Sequence, residues 1–378
     1  MLISLVAACD DDGGFGGLSE AIFDPDVVHR VEVTVQPQYL DRLADDRDNR
    51  VPCDLVIDGV AIPGAGIRQK GGIGSLSDLD GKPGFSVRFD EFDPSLRFMG
   101  RRKLILNNAI QDESLLNEHL GYEVYRRAGL PAPHTAHGVV SLNGESYGVY
   151  VFKEAIDEQF LVRIFGNPSG NLYEGPDRPN DFMRDVERMD LKRETKESRS
   201  RDDLIALVEL LEGTPDAQWP ERAAEALDLD GAITGYAIDA VVDHWDGYAF
   251  NSNNYYFYND PFSGRFAFIP HGMDQLFHDV RRDVMRRPEG ELTRRIRELP
   301  ELEARYVSEL HAVFGGAFDP EALIARAERV EATLHAFRDR EPELPQAVER
   351  DLERFDRNLE GVRQALRERR AYLADRLP

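Results

Sequence analysis

Two cysteines in 378 residues, Cys9 and Cys53, are too few for a disulfide framework, so the fold must rest on a buried core. No run approaches the ~20 apolar residues that a membrane-spanning helix needs. Nine histidines are present but none stands at HExxH spacing, and no GxSxG occurs, so neither a zinc hydrolase nor a serine hydrolase of those types is indicated. Positive charge is also scarce. Lys and Arg number 46 against 70 Asp and Glu, a net charge of −24, which argues against nucleic acid or anionic lipid as an electrostatic partner. What is there is a globular composition, 42% apolar with 20 Phe and 13 Tyr. The length fits one bilobed unit or two ordinary domains.

The first residues read MLISLVAA, then Cys9, then Asp10, Asp11, Asp12 and a Gly-rich run to Gly17. Such an abrupt switch is the mark of processing, not of folding. Val6-Ala7-Ala8-Cys9 resembles a bacterial lipobox, which implies a signal-peptide remnant over 1–9, a lipid anchor on Cys9 and a flexible acidic linker over 10–26. Membrane contact would then come only through acyl chains, each buried CH₂ contributing ~0.8 kcal/mol, and the chain would sit at the cell envelope. Cys53 is expected to be a small buried hydrophobe.

Alternating apolar residues predict strands at 27–35, 54–60, 85–89 and 103–106, with Asp58-Gly59 as a hairpin turn. A helix is predicted over 112–128 from Leu116, Leu120 and Val124, stopped by Gly129-Leu130-Pro131. A second hairpin, 138–142 with 147–152, turns at Asn143-Gly144. Helical periodicity follows at 202–211, 223–226, 230–242 and 292–377. The charged segment 184–201 predicts a solvated helix or loop. A β-like island interrupts the helices at 254–269, with YYFY and RFAFI around a turn at 261–264. The fold class expected is α+β.

Asp246, Asn251 and Asn254 precede that hairpin and Asp274 follows it. A hairpin returns its ends to one place, so these side chains should converge. Carboxylate and amide oxygens suit Mg²⁺, which keeps few protein ligands alongside water and phosphate oxygens. An Asp followed five residues later by Asn, then a hairpin, then a second Asp, is the order in which protein kinases assemble phosphoryl transfer.

HWDGYAFNSNNYYFY with FIPHGMDQLF resembles the CotH family of atypical, spore-coat-type protein kinases. RQKGG from Arg68, KLILNN from Lys103, GLPAP from Gly129, NGE from Asn143, GVY from Gly148 and GNLY from Gly170 agree with it, in the family's order, over about residues 27–280. The resemblance implies a protein-kinase-like two-lobed fold, with a strand-rich N-lobe over 27–154 and a helical C-lobe over 155–378. It implies transfer of the γ-phosphoryl group of ATP to Ser or Thr of a surface or envelope protein, with Mg²⁺ or Mn²⁺. Asp246 matches the catalytic Asp and Asp274 the metal-holding Asp. Asn251 by spacing, or Asn254 by adjacency to the strand, completes the metal site.

For the phosphates, Arg68 and Lys70 beside the Gly71–Ser75 run are preferred over Lys82 and Lys103. Glu118 or Glu123 would anchor the lysine, with Glu123 favoured for its nearness to the buried face. Phe152-Lys153-Glu154 would be the strand end that meets adenine. Family members often carry a further Asp at the position of Gly272. Its replacement keeps open a catalytically silent, surface-anchored structural or adhesion protein, and a kinase of small-molecule or sugar hydroxyls is a third possibility. His244 and Trp245 are expected to be structural. The basic pairs Arg281-Arg282 and Arg369-Arg370 are expected on solvated faces.

Overall fold

The computed structural model describes residues 21–176, 179–193 and 200–378. Cys9, the leader and most of the expected linker lie outside the described residues, as does part of the charged 184–201 segment. The chain divides into two compact units, one of residues up to 119 with 133–156 and 326–360, the other of 120–132, 157–325 and 361–378. A simple cut at 154–155 therefore differs from the observed division. The crossing falls after Ile156, and segment 326–360 of the C-terminal helices belongs with the strands.

In the first unit, β1 (Val28–Thr34), α1 (Pro37–Asp45), β2 (Val51–Ile57), β3 (Val60–Lys70), β4 (Gly84–Arg88) and β5 (Lys103–Asn107) come first. Then follow α2 (Asn117–Arg127), which runs on into the second unit, and the hairpin β6 (Thr135–Leu142) and β7 (Glu145–Lys153). The strands close into a barrel in the order β1-β2-β3-β4-β5-β7-β6. The α+β class holds, but a closed seven-stranded barrel is not part of the two-lobed kinase-like expectation. Closure comes from β1 lying parallel to β6. Asn143 secures it: this turn residue sits at φ 50°, accepts from the Val35 N–H at 2.8 Å and donates to the Val35 carbonyl at 2.9 Å. Val31, Val33, Leu55, Ile67, Phe85, Leu106 and Phe152 fill the interior.

The second unit carries α3 (Glu158–Phe165), β8 (Leu172–Glu174), β9 (Asp190–Arg193), α4 (Asp202–Gly213), α5 (Trp219–Ala226), α6 (Leu229–Val241) and the short α7 (Tyr248–Asn251). The expected hairpin is present as β10 (Tyr255–Asp260) and β11 (Arg265–Pro270). It is not an isolated island: β10 pairs with β8, giving a four-stranded sheet in the order β11-β10-β8-β9. Next come α8 (Glu291–Glu298), α9 (Pro300–Ala312), α10 (Pro320–Arg340) and α11 (Gln346–Ala374); the last two contribute 326–340 and 346–360 to the first unit. Among the described residues no helix is long and apolar enough to cross a membrane.

Candidate active site

The loop between α6 and β10 gathers the polar residues that the spacing singled out. Asp246 is the centre of the cluster. Its Oδ1 accepts from Asn251 Nδ2 at 2.5 Å and Asn253 Nδ2 at 3.2 Å, and its Oδ2 accepts from Asn254 Nδ2 at 2.8 Å. Asn254 also donates to the Asp246 carbonyl at 3.1 Å. Both Asn251 and Asn254 therefore meet Asp246, and Asn253 joins them. The local backbone makes this possible: Ser252 at φ 48° and Asn254 at φ 52° turn the chain sharply between α7 and β10.

Hairpin pairing brings the far end back. Tyr255 lies opposite Pro270, and the His271 N–H donates to the Asn254 carbonyl at 3.1 Å. Gly272 sits at φ 54°, and a methyl group there would overlap the Asn254 side chain. The amide of Asn254 thus occupies the space into which a side chain at 272 would extend, and a carboxylate there would need Asn254 to move. Half-buried Asp274 follows two residues later.

Among the described residues no group of three or more His, Cys, Asp or Glu is placed to hold a metal ion. The donor set does fit a hard divalent cation. Each amide donates through nitrogen, which leaves its oxygen as the atom available to a cation. Amide oxygens with the Asp274 carboxylate match Mg²⁺, which takes few protein ligands, and do not match zinc.

His244 lies beneath the loop, fully buried, and is structural as expected. Its Nδ1 is 3.0 Å from Asp239 Oδ1 and its Nε2 is 3.3 Å from the Gly272 carbonyl. Asp239 Oδ1 also accepts from the Tyr125 hydroxyl at 2.7 Å. Burial alone would lower the imidazole pKa, but Asp239, with help from Asp246, outweighs it and holds the ring above its ordinary value.

In the first unit the predicted phosphate-binding residues share a sheet face. Arg68 lies opposite Ser86, Ser86 opposite Ile105, and Ile105 opposite Lys153, so Arg68 and Lys153 are in one row, with Lys70 on the same outward face of β3. Lys153, expected at an adenine-binding strand end, instead donates to Glu118 Oε1 at 2.6 Å, with both side chains almost fully buried. Asn107 donates to Glu118 Oε2 at 2.5 Å. Burial would raise the Glu118 pKa, but Lys153, Lys70 and Asn107 together hold it below its ordinary value.

Glu118 is thus the lysine anchor, and the preference for Glu123 is corrected: Glu123 pairs with Arg126 at 3.0 Å. Helix periodicity misjudged the face because α2 is buried nearly all round, Glu118, His119, Leu120, Tyr122 and Val124 alike, so the Leu116-Leu120-Val124 stripe does not mark its one inward side. Arg68 donates to the Arg47 carbonyl at 2.6 Å. Glu154 is committed to Arg101 at 2.9 Å and to the His134 N–H at 3.1 Å, while its own N–H donates to the His134 carbonyl. Its expected contact with adenine is therefore not supported. In the Gly71–Ser75 run the Gly72 N–H donates to Ser75 Oγ at 3.1 Å. Lys82 is buried against Asp351 at 2.7 Å.

The first unit thus holds a buried lysine–glutamate pair, and the second an aspartate ringed by asparagines at a hairpin mouth. The family model described as "CotH kinase protein" matches residues 67–373, and the chain belongs to the CotH family. The match starts within β3, leaves out β1 and β2, and runs through the C-terminal helices, beyond the 27–280 span of the sequence resemblance. Among curated proteins the chain is similar to "Inner spore coat protein H" of Bacillus subtilis (strain 168). The two are 26% identical over 295 residues, covering 74% of this chain and 80% of that protein.

Proposed function

We propose that this protein is an ATP-dependent phosphotransferase that transfers the γ-phosphoryl group to Ser or Thr of a surface or envelope protein. The observation that carries this is Asp246, held by Asn251, Asn253 and Asn254 at the mouth of the β10–β11 hairpin. In a CotH-family chain such an aspartate is suited to orient an acceptor hydroxyl and take its proton. Mg²⁺ or Mn²⁺ would supply positive charge on the phosphate oxygens, with Asp274 and the oxygens of Asn251 and Asn254 as its ligands. Lys153 and Lys70 are the cations offered to phosphate, with Glu118 orienting them; Arg68 lies farther along the same face. The barrel unit and the helical unit would stand for the two lobes of a kinase-like fold. An envelope location, in keeping with a spore-coat relative, and anchorage through Cys9 belong to the same proposal.

A catalytically silent member is the alternative. It is favoured by Gly272, where Asn254 takes the space of a further acid, and by the engagement of both Asp246 carboxylate oxygens with amide donors. Thermal unfolding with ATP and a divalent ion decides between them. Nucleotide at 100 times its Kd stabilises by ~2.7 kcal/mol, and absence of any shift with Mg²⁺ or Mn²⁺ overturns the phosphotransferase. With binding established, Asp246→Ala should abolish autophosphorylation and keep nucleotide binding. Equal loss of both would remove the role given to Asp246.

A further inference from the structure

Arg369, near the end of α11, was expected on a solvated face and is instead fully buried in the second unit. Its guanidinium is spent entirely on backbone carbonyls. Nε donates to Val241 at 2.8 Å and Nη2 to Ala240 at 2.7 Å, while Nη1 donates to Val280 at 3.1 Å and Arg282 at 2.7 Å. The first pair ends α6, two and three residues before the Asp243-His244-Trp245-Asp246 turn. The second pair lies six to eight residues after Asp274.

A helix end leaves its last carbonyls without partners, and their burial is costly unless they are satisfied. At the end of α6 each is accounted for. Ile238 accepts from the Val242 N–H, Asp239 from the His244 N–H, Ala240 and Val241 from Arg369, and Val242 from the Phe277 N–H. Asp243 closes the same joint from the other side. It sits at φ 51°, fully buried, accepting from Arg286 at 2.7 Å and from the Asp279 N–H at 2.9 Å.

We propose that Arg369 is a positioning residue for the candidate active site: a five-donor fork that locks the segment leading into Asp246 to the segment leaving Asp274. Lysine cannot replace it, since an ammonium is a point donor and cannot reach four carbonyls on two segments from one position. The consequence for catalysis rests on the phosphotransferase proposed above; the consequence for the loops does not.

The test uses the full chain with Arg369→Lys, Arg369→Ala and, as a comparator, Arg370→Gln, whose native side chain reaches Phe314 and Phe318 instead. Hydrogen exchange is read first. Arg369→Lys should lower amide protection at least about tenfold in 242–254 and 275–286 while the barrel strands stay at wild-type values, and Arg370→Gln should leave those loops unchanged. Uniform loss across the chain, or no loss in the loops, overturns the proposal whether or not the protein is a kinase.

Phosphoryl transfer is read second. A misplacement of about 1 Å can cost ~10²-fold, so Arg369→Lys should lose about that factor in kcat with KM for ATP within about twofold. Added guanidinium should restore part of the activity of Arg369→Ala. A wild-type chain without transfer activity would remove the proposed function and leave the exchange result standing. An active wild type whose Arg369→Lys variant keeps full kcat would remove the positioning role.

Discussion

Lys153 and Glu118 meet at 2.6 Å inside the first unit, each side chain no more than 3% exposed. A salt bridge buried this deeply makes each charge the chief compensation of the other, so removing one partner is costly. Lys153→Met should therefore cost about 3 kcal/mol, the low end of the 3–5 kcal/mol range for breaking such pairs, because Lys70 also acts on Glu118. Lys153→Met with Glu118→Leu should cost less than the sum of the two single changes. A double-mutant cycle by urea unfolding measures the coupling, and additive losses would mean that the pair is not energetically joined.

Gln69 is 1% exposed on the inward face of β3, beside Ile67 and across from Phe85, and neither atom of its amide has a hydrogen-bond partner among the described residues. A buried unpaired amide costs about 1–3 kcal/mol. Gln69→Leu should raise the unfolding midpoint by a corresponding amount without altering nucleotide binding. A destabilised variant would indicate that the amide meets a buried water or ligand.

Gly272 and Asn254 compete for one volume. Gly272→Ala places a methyl group against the Asn254 amide at a backbone angle that favours glycine, and should displace that amide from Asp246. The expected result is a lower melting temperature together with loss of any divalent-dependent stabilisation by ATP. Asn254→Ala in the same chain should recover part of the melting temperature but none of the metal dependence. Recovery of both would show that Asn254 contributes no ligand.

His244 faces the Asp239 carboxylate at one ring nitrogen and the Gly272 carbonyl at the other, both of them acceptors, an arrangement that favours the protonated ring. Its folded pKa is raised above the unfolded value of ~6.5. The stabilisation is thus complete below about 6.5 and is lost as pH climbs through the folded pKa. The stability difference between the wild-type chain and His244→Gln should narrow as pH rises from about 6.5 upward, measured by urea unfolding. A difference that widens with pH would mean that the ring is neutral.

Much of the site could be read from order along the chain. The β10–β11 hairpin follows from alternating aromatics around Pro261-Phe262-Ser263-Gly264, and a hairpin by its nature reunites the residues that flank it. That places Asp246 with Asn251 and Asn254 from order along the chain alone. The donation of Asn253 to Asp246 depends on left-handed residues on either side of it, Ser252 and Asn254, which composition does not signal. In the first unit the sequence offered Glu118 or Glu123 as the partner of a lysine, and favoured the one that pairs with Arg126 instead. The choice between Glu118 and Glu123 turns on which sides of α2 the fold covers, and it buries Glu118, His119, Leu120, Tyr122 and Val124 alike, which a single apolar stripe does not signal.

The sequence by itself determined the α+β class, the turns at Asp58-Gly59 and Asn143-Gly144, the hairpin and the family, because each depends on neighbours within a few residues or on local motifs. Only the tertiary structure decided that the strands close through a parallel β1–β6 pair, that Lys153 belongs to Glu118, and that Arg369 is a buried fork rather than a surface charge. Those relationships join residues from 35 to 129 positions apart. Whether such a charge is buried depends on the carbonyls that meet it, and the chain must fold before they do.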